Sequence, residues 1–351
     1  MSGFGFINAG KDFILKSTND NIILVASTKL HLFNSIIIAK QFPNSNYHLF
    51  YIDQLDKNDS YFVALNQFSS KYIWTTNKSS ILSKILSKRK AIKEIYQKTK
   101  EINPSKIIVG NNRKNEISAL ITKVKRTHND ISIAYMDDGI HSYLIEKSSF
   151  FKYTILDSII KSLVYGSLIT TPKYIASSSI IDELYLYAPK FRNRYLKSKK
   201  AHKLDISILQ SHNVKSFVDT VLKDLDIDLD LKNIENILFL PHPKELNRDK
   251  LDRAISVIDK NLAIKLHPRD KHNQKLLQKK GFKIIDNKVV AELIFLSLDK
   301  KVNIYGFAST ALLMAVWLSP KLDVYSLKFD KSALSLLEEF MQKNGVKIFQ
   351  V

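Results

Sequence analysis

Short apolar runs alternating with longer stretches of helical spacing predict an α/β protein of two doubly wound domains facing across a cleft. Three observations carry the prediction. The alternation occurs twice, from Ile22 to Met136 and again from Ile237 to Tyr325. Between Ser148 and about Lys203 it is lost, and the chain becomes rich in Ser, Tyr and Lys. The 351 residues, 45% hydrophobic and 25% charged, supply enough material for two cores.

The elements follow in order. Ile22 to Ala26 reads as a strand and Leu30 to Phe42 as a helix, with strands at His48 to Ile52 and Tyr72 to Thr75. Ser79 to Glu101 is a long helix, and Lys106 to Val109, a helix from Glu116 to Lys125, and Ile131 to Met136 complete the first half. The segment FFKYTILDSIIKSLVYGSLI reads as a basic amphipathic helix, covering the sheet or docking on a membrane surface. After a helix at Val214 to Leu225 come strands at Ile237 to Leu240, Leu262 to Leu266, Lys283 to Ile285, Val302 to Tyr305 and Leu322 to Tyr325. A terminal helix, Ala333 to Asn344, is long enough to cross back onto the first domain. The expected division is a leader at 1–20, a first Rossmann-like domain at 21–205 and a second at 206–351.

Composition narrows the function. There are no cysteines, so disulfides and thiolate metal sites are excluded. The apolar stretches Ile22 to Ala26 and Ala311 to Leu318 fall far short of the roughly 20 residues that span a bilayer. The start, MSGFGFINAGKDF, has no basic region followed by a long apolar core, so no secretory signal is expected. Fifty-four Lys and Arg against 34 Asp and Glu give a formal charge of +20, which points to a polyanion or an anionic surface as partner. The excess is concentrated from Lys78 to His128, where fourteen cations meet three glutamates, and again from Lys190 to Lys203. For any one cluster, a solvated helix face is the plain alternative.

Two strings carry the chemistry: YMDDGI at Tyr135 to Ile140 and IKLHPRD at Ile264 to Asp270, each closing an apolar run. A carboxylate pair before glycine and a histidine before proline read as two halves of one acid/base site. Asp137 and Asp138 point to opposite sides if the strand continues, so one faces the cleft and the other organises the turn. An ordinary Asp-Gly turn is the alternative. His242 also ends a strand before a proline, so His267 and His242 compete for the functional role or are both structural. Ser309 and Thr310 open the helix ALLMAVWL, where free N–H groups and hydroxyls make a phosphate cradle or a simple N-cap. Glu292 opens another helix, where an acid is a routine stabiliser. The turn from Ser27 to His31 faces the cleft but lacks a glycine-rich fingerprint. The acidic run DLDIDLD, Asp224 to Asp230, is a solvated linker or an Asp-x-Asp metal motif; no strand precedes it.

The ordered set Asp137-Asp138-Gly139, His267-Pro268, Glu292 and Ser309-Thr310 resembles the motif series of bacterial sialyltransferases, and the basic charge resembles the capsular polysialyltransferases among them. This resemblance covers about residues 21 to 320. It implies a GT-B fold and an inverting, metal-independent transferase that takes sialic acid from CMP-sialic acid and extends a polysialic acid capsule chain. It also implies Asp138 as general base, His267 at the leaving phosphate, and Pro268, Gly306, Ser309 and Thr310 around the donor, with Glu292 on the ribose. Ser27 and Thr28 would then neighbour the transferred sugar. Lys88, Arg89, Lys90, Lys123, Lys125 and Arg126 are the expected cations for a sialoside acceptor. No cofactor, metal or nucleic acid is expected; a bacterial cytoplasmic location, with peripheral contact to the inner membrane face, is. The alternatives are a transferase adding one acidic sugar to a lipooligosaccharide and a non-catalytic polyanion-binding protein.

Overall fold

In the computed structural model, residues 20–52, 59–74, 81–145, 172, 174–258, 261–270 and 273–351 are described. The expected leader through residue 19 and the amphipathic segment at 150–169 lie outside them. The first sheet contains β1 (Asp20–Ala26), β2 (Ser45–Ile52), β3 (Ser70–Trp74), β4 (Lys106–Val109), β5 (Ser132–Met136), β6 (Glu183–Leu186) and β7 (Lys200–Lys203). Their spatial order is β3-β2-β1-β4-β5-β6-β7, with every pair parallel. Helices α1 (Lys29–Gln41), α2 (Ser60–Val63), α3 (Ile81–Ile102) and α4 (Asn115–Thr127) connect them. Parallel strands therefore continue into the region where the sequence pattern is lost. Edge strand β7 reads KAHK and is half-buried or exposed throughout, so nothing requires an apolar run there.

The second sheet is also parallel, in the order β10-β9-β8-β11-β12-β13, from β8 (Asn236–Phe239), β9 (Leu262–Lys265), β10 (Lys283–Ile285), β11 (Asn303–Gly306), β12 (Asp323–Lys328) and β13 (Lys347–Gln350). Its helices are α5 (His212–Asp224), α6 (Arg248–Ser256), α7 (Asn273–Lys279), α8 (Ala291–Ser297), α9 (Thr310–Leu318) and α10 (Leu336–Lys343). Strand β13 was not expected; its sequence, KIFQ, is polar at both ends and half-exposed.

One apolar cluster runs through both domains and joins them. Helix α1 buries eight consecutive residues, His31 to Ile38, because it has the sheet on one side and α5 on the other, where Phe33 meets Phe217 edge-on at 5.7 Å. Trp317 of α9 stacks on Tyr187 at 5.2 Å, and Phe340 of α10 stacks on Tyr143 at 5.1 Å, so the terminal helix does reach the first domain. The Tyr61 hydroxyl ties the other side of the junction, donating to the Lys288 carbonyl and accepting from the Val290 N–H. In the acidic run, Asp226, Asp228 and Asp230 are exposed while Ile227 and Leu229 pack on the core, the arrangement of a linker. Among the described residues, no group of three or more His, Asp or Glu is placed to hold a metal, and no helix is long and apolar enough to cross a membrane.

Candidate active site

Strand order in each sheet reverses direction at one place, between β1 and β4 in the first and between β8 and β11 in the second. Loops leaving the carboxyl ends of strands at such a point diverge and leave a crevice. Both crevices open towards the domain junction, and each collects polar side chains.

On the first domain, Asp138 follows β5, and its carboxylate is held at both oxygens. Oδ2 accepts from the Asn111 side-chain amide at 2.8 Å, and Oδ1 stands 2.9 Å from Nε2 of His31. His31 is fully buried and makes no aligned hydrogen bond through Nε2, so this contact is close but off the N–H axis. Its other nitrogen, Nδ1, accepts the Ser27 backbone N–H at 3.2 Å. The lone pair is therefore on Nδ1 and the proton on Nε2, facing the carboxylate. Gly110, at the end of β4, leaves room for the ring: a Cβ there would lie 2.3 Å from Nδ1.

Asp137 takes the second role expected of the pair. It is fully buried and accepts from the Gly139 N–H, the Ser142 and Tyr143 hydroxyls and the Tyr187 N–H. Burial pushes its carboxyl up to about 6, opposed by these four donors, so it is mostly ionised at neutral pH and organises the turn rather than meeting a ligand.

On the second domain, a cavity of about 410 Å³ is lined by His242, Lys265, His267, Pro268 and Ser309 over an apolar wall that includes Phe239, Val289 and Ala308. His267 and His242 end adjacent parallel strands and adopt the same turn. Nδ1 of each accepts the N–H two residues on, from Arg269 at 3.1 Å and from Lys244 at 3.2 Å. In the neutral rings both protons are then on Nε2, and the two rings lie 4.9 Å apart. The competition between the histidines thus has a different outcome: both line the same cavity. Burial, and then the neighbouring His242 and Arg269, hold His267 below its ordinary value. Lys265 is nearly buried, and desolvation brings its amine down to about 8, with Asp286 opposing and Lys29 adding to the fall.

The Ser309-Thr310 pair divides its work. Ser309 is the N-cap of α9 but makes no side-chain cap bond, which leaves its hydroxyl to the cavity it lines. Thr310 accepts the Ile140 N–H of the first domain at 3.4 Å, and a Cβ on Gly139 would lie 2.4 Å from its methyl group. Gly139 also has φ +70°, so that position requires glycine twice over. This close approach sets the Asp138 turn directly against the helix whose cap lines the cavity. Glu292 is buried in the first turn of α8, its carboxyl raised by desolvation, beside the cavity residues Val290 and Ala291 but not itself in the lining. Gly306 is likewise outside the lining and packs against Leu312 and the Phe239 carbonyl.

The expected acceptor residues are placed differently. Ser27 is buried and anchors His31, while the Thr28 hydroxyl caps α1. Lys88 is bonded to Glu116 at 2.7 Å; Arg89 and Lys90 are exposed on α3. Lys123, Lys125 and Arg126 are in the last turns of α4, which runs from the carboxyl end of β4 to the amino end of β5. They therefore stand at the opposite end of the sheet from Asp138, with Lys123 over the Tyr96 ring and Lys125 near Asp182. Charge density along the chain carries no information about which end of a helix faces the crevice. Exposed Arg113 is two residues from Asn111 and is nearer the base. Asn111 and Lys265 carry no expectation from the sequence, His31 enters it only as the end of the cleft-facing turn, and His242 only as a competitor of His267. A histidine opening an apolar helix, and a lysine ending a buried strand, were the signals available.

The architecture is similar to that of an alpha/beta-galactoside alpha-2,3-sialyltransferase from Photobacterium phosphoreum, with 14% identity, 93% of this chain and 97% of that one covered, and a TM-score of 0.56. A UDP-GlcNAc 2-epimerase from Methanocaldococcus jannaschii is also similar, at 18% identity, 94% and 88% coverage and a TM-score of 0.55. The GT-B domain of a Photobacterium damselae sialyltransferase matches at 14% identity, 94% and 100% coverage and a TM-score of 0.50. A comparison with curated protein sequences finds no significant match. Two parallel-sheet domains meeting at paired crevices give this protein a GT-B fold. Residues 11–328 match the profile of the alpha-2,8-polysialyltransferase (POLYST) family, and the chain belongs to that family of sialyltransferases.

Proposed function

We propose that the protein transfers sialic acid from CMP-sialic acid to the non-reducing end of a growing polysialic acid chain, in a single inverting displacement without a metal. The observation that carries this reading is the contact of the Asp138-Gly139 turn with Thr310, which joins a carboxylate on one domain to a cavity with imidazole and hydroxyl donors on the other. Asp138 takes the proton of the acceptor hydroxyl as its oxygen bonds to the anomeric carbon. The bond from that carbon to the phosphate oxygen breaks, and the electron pair leaves with CMP. His267 Nε2–H, with Ser309, stabilises the phosphate. A base and a leaving-group site on opposite domains favour attack from the face opposite the phosphate, hence inversion.

The direct test is incubation with CMP-sialic acid and a labelled sialyl oligosaccharide, with products resolved by length. A ladder is expected, unaffected by chelators. A single added unit would replace polymerisation by one-step transfer, and a strict need for a divalent ion would overturn the metal-free reading.

The division of labour in the Ser-Thr pair gives a second expectation. Ser309→Ala and His242→Ala should each raise the donor KM about tenfold, the loss of roughly 1.4 kcal/mol that one hydrogen bond to a charged group supplies. Thr310→Ala should act mainly on kcat, since its hydroxyl is used between the domains. Equal donor KM in Ser309→Ala and the parent would remove Ser309 from the donor site.

Acceptor binding should depend on charge near the base. Longer acceptors bring more carboxylates, and exposed contacts are screened over about 8 Å at physiological ionic strength, so the KM for long acceptors should rise more with salt than that for short ones. Arg113→Ala should weaken long acceptors, whereas neutralising Lys123, Lys125 and Arg126 together should do little. KM measured against acceptor length at two salt concentrations decides; independence of both would assign the charge to another anionic surface.

A further inference from the structure

We propose that His31 is a positioning residue for Asp138: a buried neutral imidazole that fixes the direction of the carboxylate without supplying a charge. The inference rests on the reading of Asp138 as base. Four observations support it. His31 is completely buried, so it touches neither substrate. Its Nδ1 lone pair is committed to the Ser27 N–H, which an imidazolium, bearing a proton there, would oppose. Its Nε2 is 2.9 Å from Asp138 Oδ1, while Asn111 holds Oδ2 at 2.8 Å. Gly110 is the only residue type that fits against the ring, since any Cβ would meet Nδ1, Cγ and Cε1 within 2.5 Å.

A carboxylate rotating freely at a strand end would present its lone pairs in many directions. With Asn111 bonded to Oδ2 and the His31 Nε2–H close to Oδ1, though off the N–H axis, the carboxylate is restrained on both sides, and each oxygen keeps a lone pair for the acceptor hydroxyl. Neutrality of the ring has a chemical consequence. An imidazolium would compete with the incoming proton for the carboxylate, whereas an N–H dipole orients it and does not. His31 does not receive the proton itself, because its one remaining lone pair is already used. The proton taken from the acceptor stays on Asp138 until it passes to solvent.

The two amide isosteres separate the two ends of the ring. Glutamine places its amide nitrogen where Nε2 stands and keeps a donor to Asp138; asparagine reaches only the Nδ1 position and keeps the Ser27 end. His31→Gln should retain kcat within a few-fold, and His31→Asn should lose kcat by about 10- to 100-fold, the range expected when a reacting group is misplaced by about an ångström. The KM for CMP-sialic acid should stay within about twofold in both. Against an Asp138→Asn background, His31→Asn should cost nothing further in kcat, since it acts only through that carboxylate. Parent-like kcat in His31→Asn, or a full additional loss in the double variant, overturns the inference. If Asp138→Asn alone keeps near-parent turnover, the assignment of the base fails first, and the result is distinguishable because it needs no change at His31. Thermal unfolding of each variant shows which losses are of fold, and Gly110→Ala, which displaces the ring from outside the pair, provides an independent variant expected to lower kcat in the same way.

Discussion

Asp138→Asn is expected to lower kcat by at least about a hundredfold, with the donor KM nearly unchanged and the melting temperature within a few degrees of the parent. General acid/base groups contribute roughly 10²–10⁴ in rate, and an amide has the shape of the carboxylate but no basic oxygen. Its geometry should persist, because one amide oxygen still accepts from Asn111. By contrast Asp137→Asn should unfold or strongly destabilise the protein, since four donors converge on a buried carboxylate. Near-parent turnover of a folded Asp138→Asn variant would remove it as base. Loss of activity in both, with only the Asp137 variant losing its fold, is the pattern that separates the two adjacent acids.

His267→Ala should also cost at least about a hundredfold in kcat, and more than His242→Ala, because it removes the donor proposed to meet the leaving phosphate and leaves the developing charge to His242 and Lys265. Steady-state kinetics on both variants, with intact folding by circular dichroism, tests this; equal effects would mean that the two rings share the phosphate. A pH dependence follows from Lys265. Its folded value lies near 8, below the ordinary lysine value, so the amine is charged below about 8 and neutral above it. Donor affinity that uses this charge is present below about pH 8 and falls as the pH rises through it, a window that moves upward once an anion is bound. A donor KM flat from pH 7 to 9.5 would mean that Lys265 serves the fold alone.

Much of this protein could be read from the chain before its structure. Buried parallel strands need continuous apolar runs, so ILVA, LFYI, KIIV and IAYM were legible as strands, and their alternation with helices determined the doubly wound class. The same rule explains two of the three strands that carry no sequence expectation: β7 and β13 contain charged residues and lie at sheet edges, where solvent rather than packing decides composition, whereas β6, ELYL, is buried between β5 and β7. The two acids before Gly139, the histidine before Pro268 and the hydroxyl pair opening α9 were visible because strand ends and helix starts are where such groups become accessible. Their assignment to roles was not. Alternation along β5 said that Asp137 and Asp138 diverge; only packing decided that Tyr143, Ser142 and Tyr187 close over Asp137 and leave Asp138 at the cleft. Spacing along one chain could not show that His242 and His267 are neighbours, because strand pairing in a parallel sheet joins residues separated by a whole helix. Nor could charge runs show which end of α4 faces the crevice. The sequence alone determined the class of fold and the chemical types at the site; the tertiary structure decided which of them meet, because contacts across a doubly wound sheet are set by topology and not by distance along the chain.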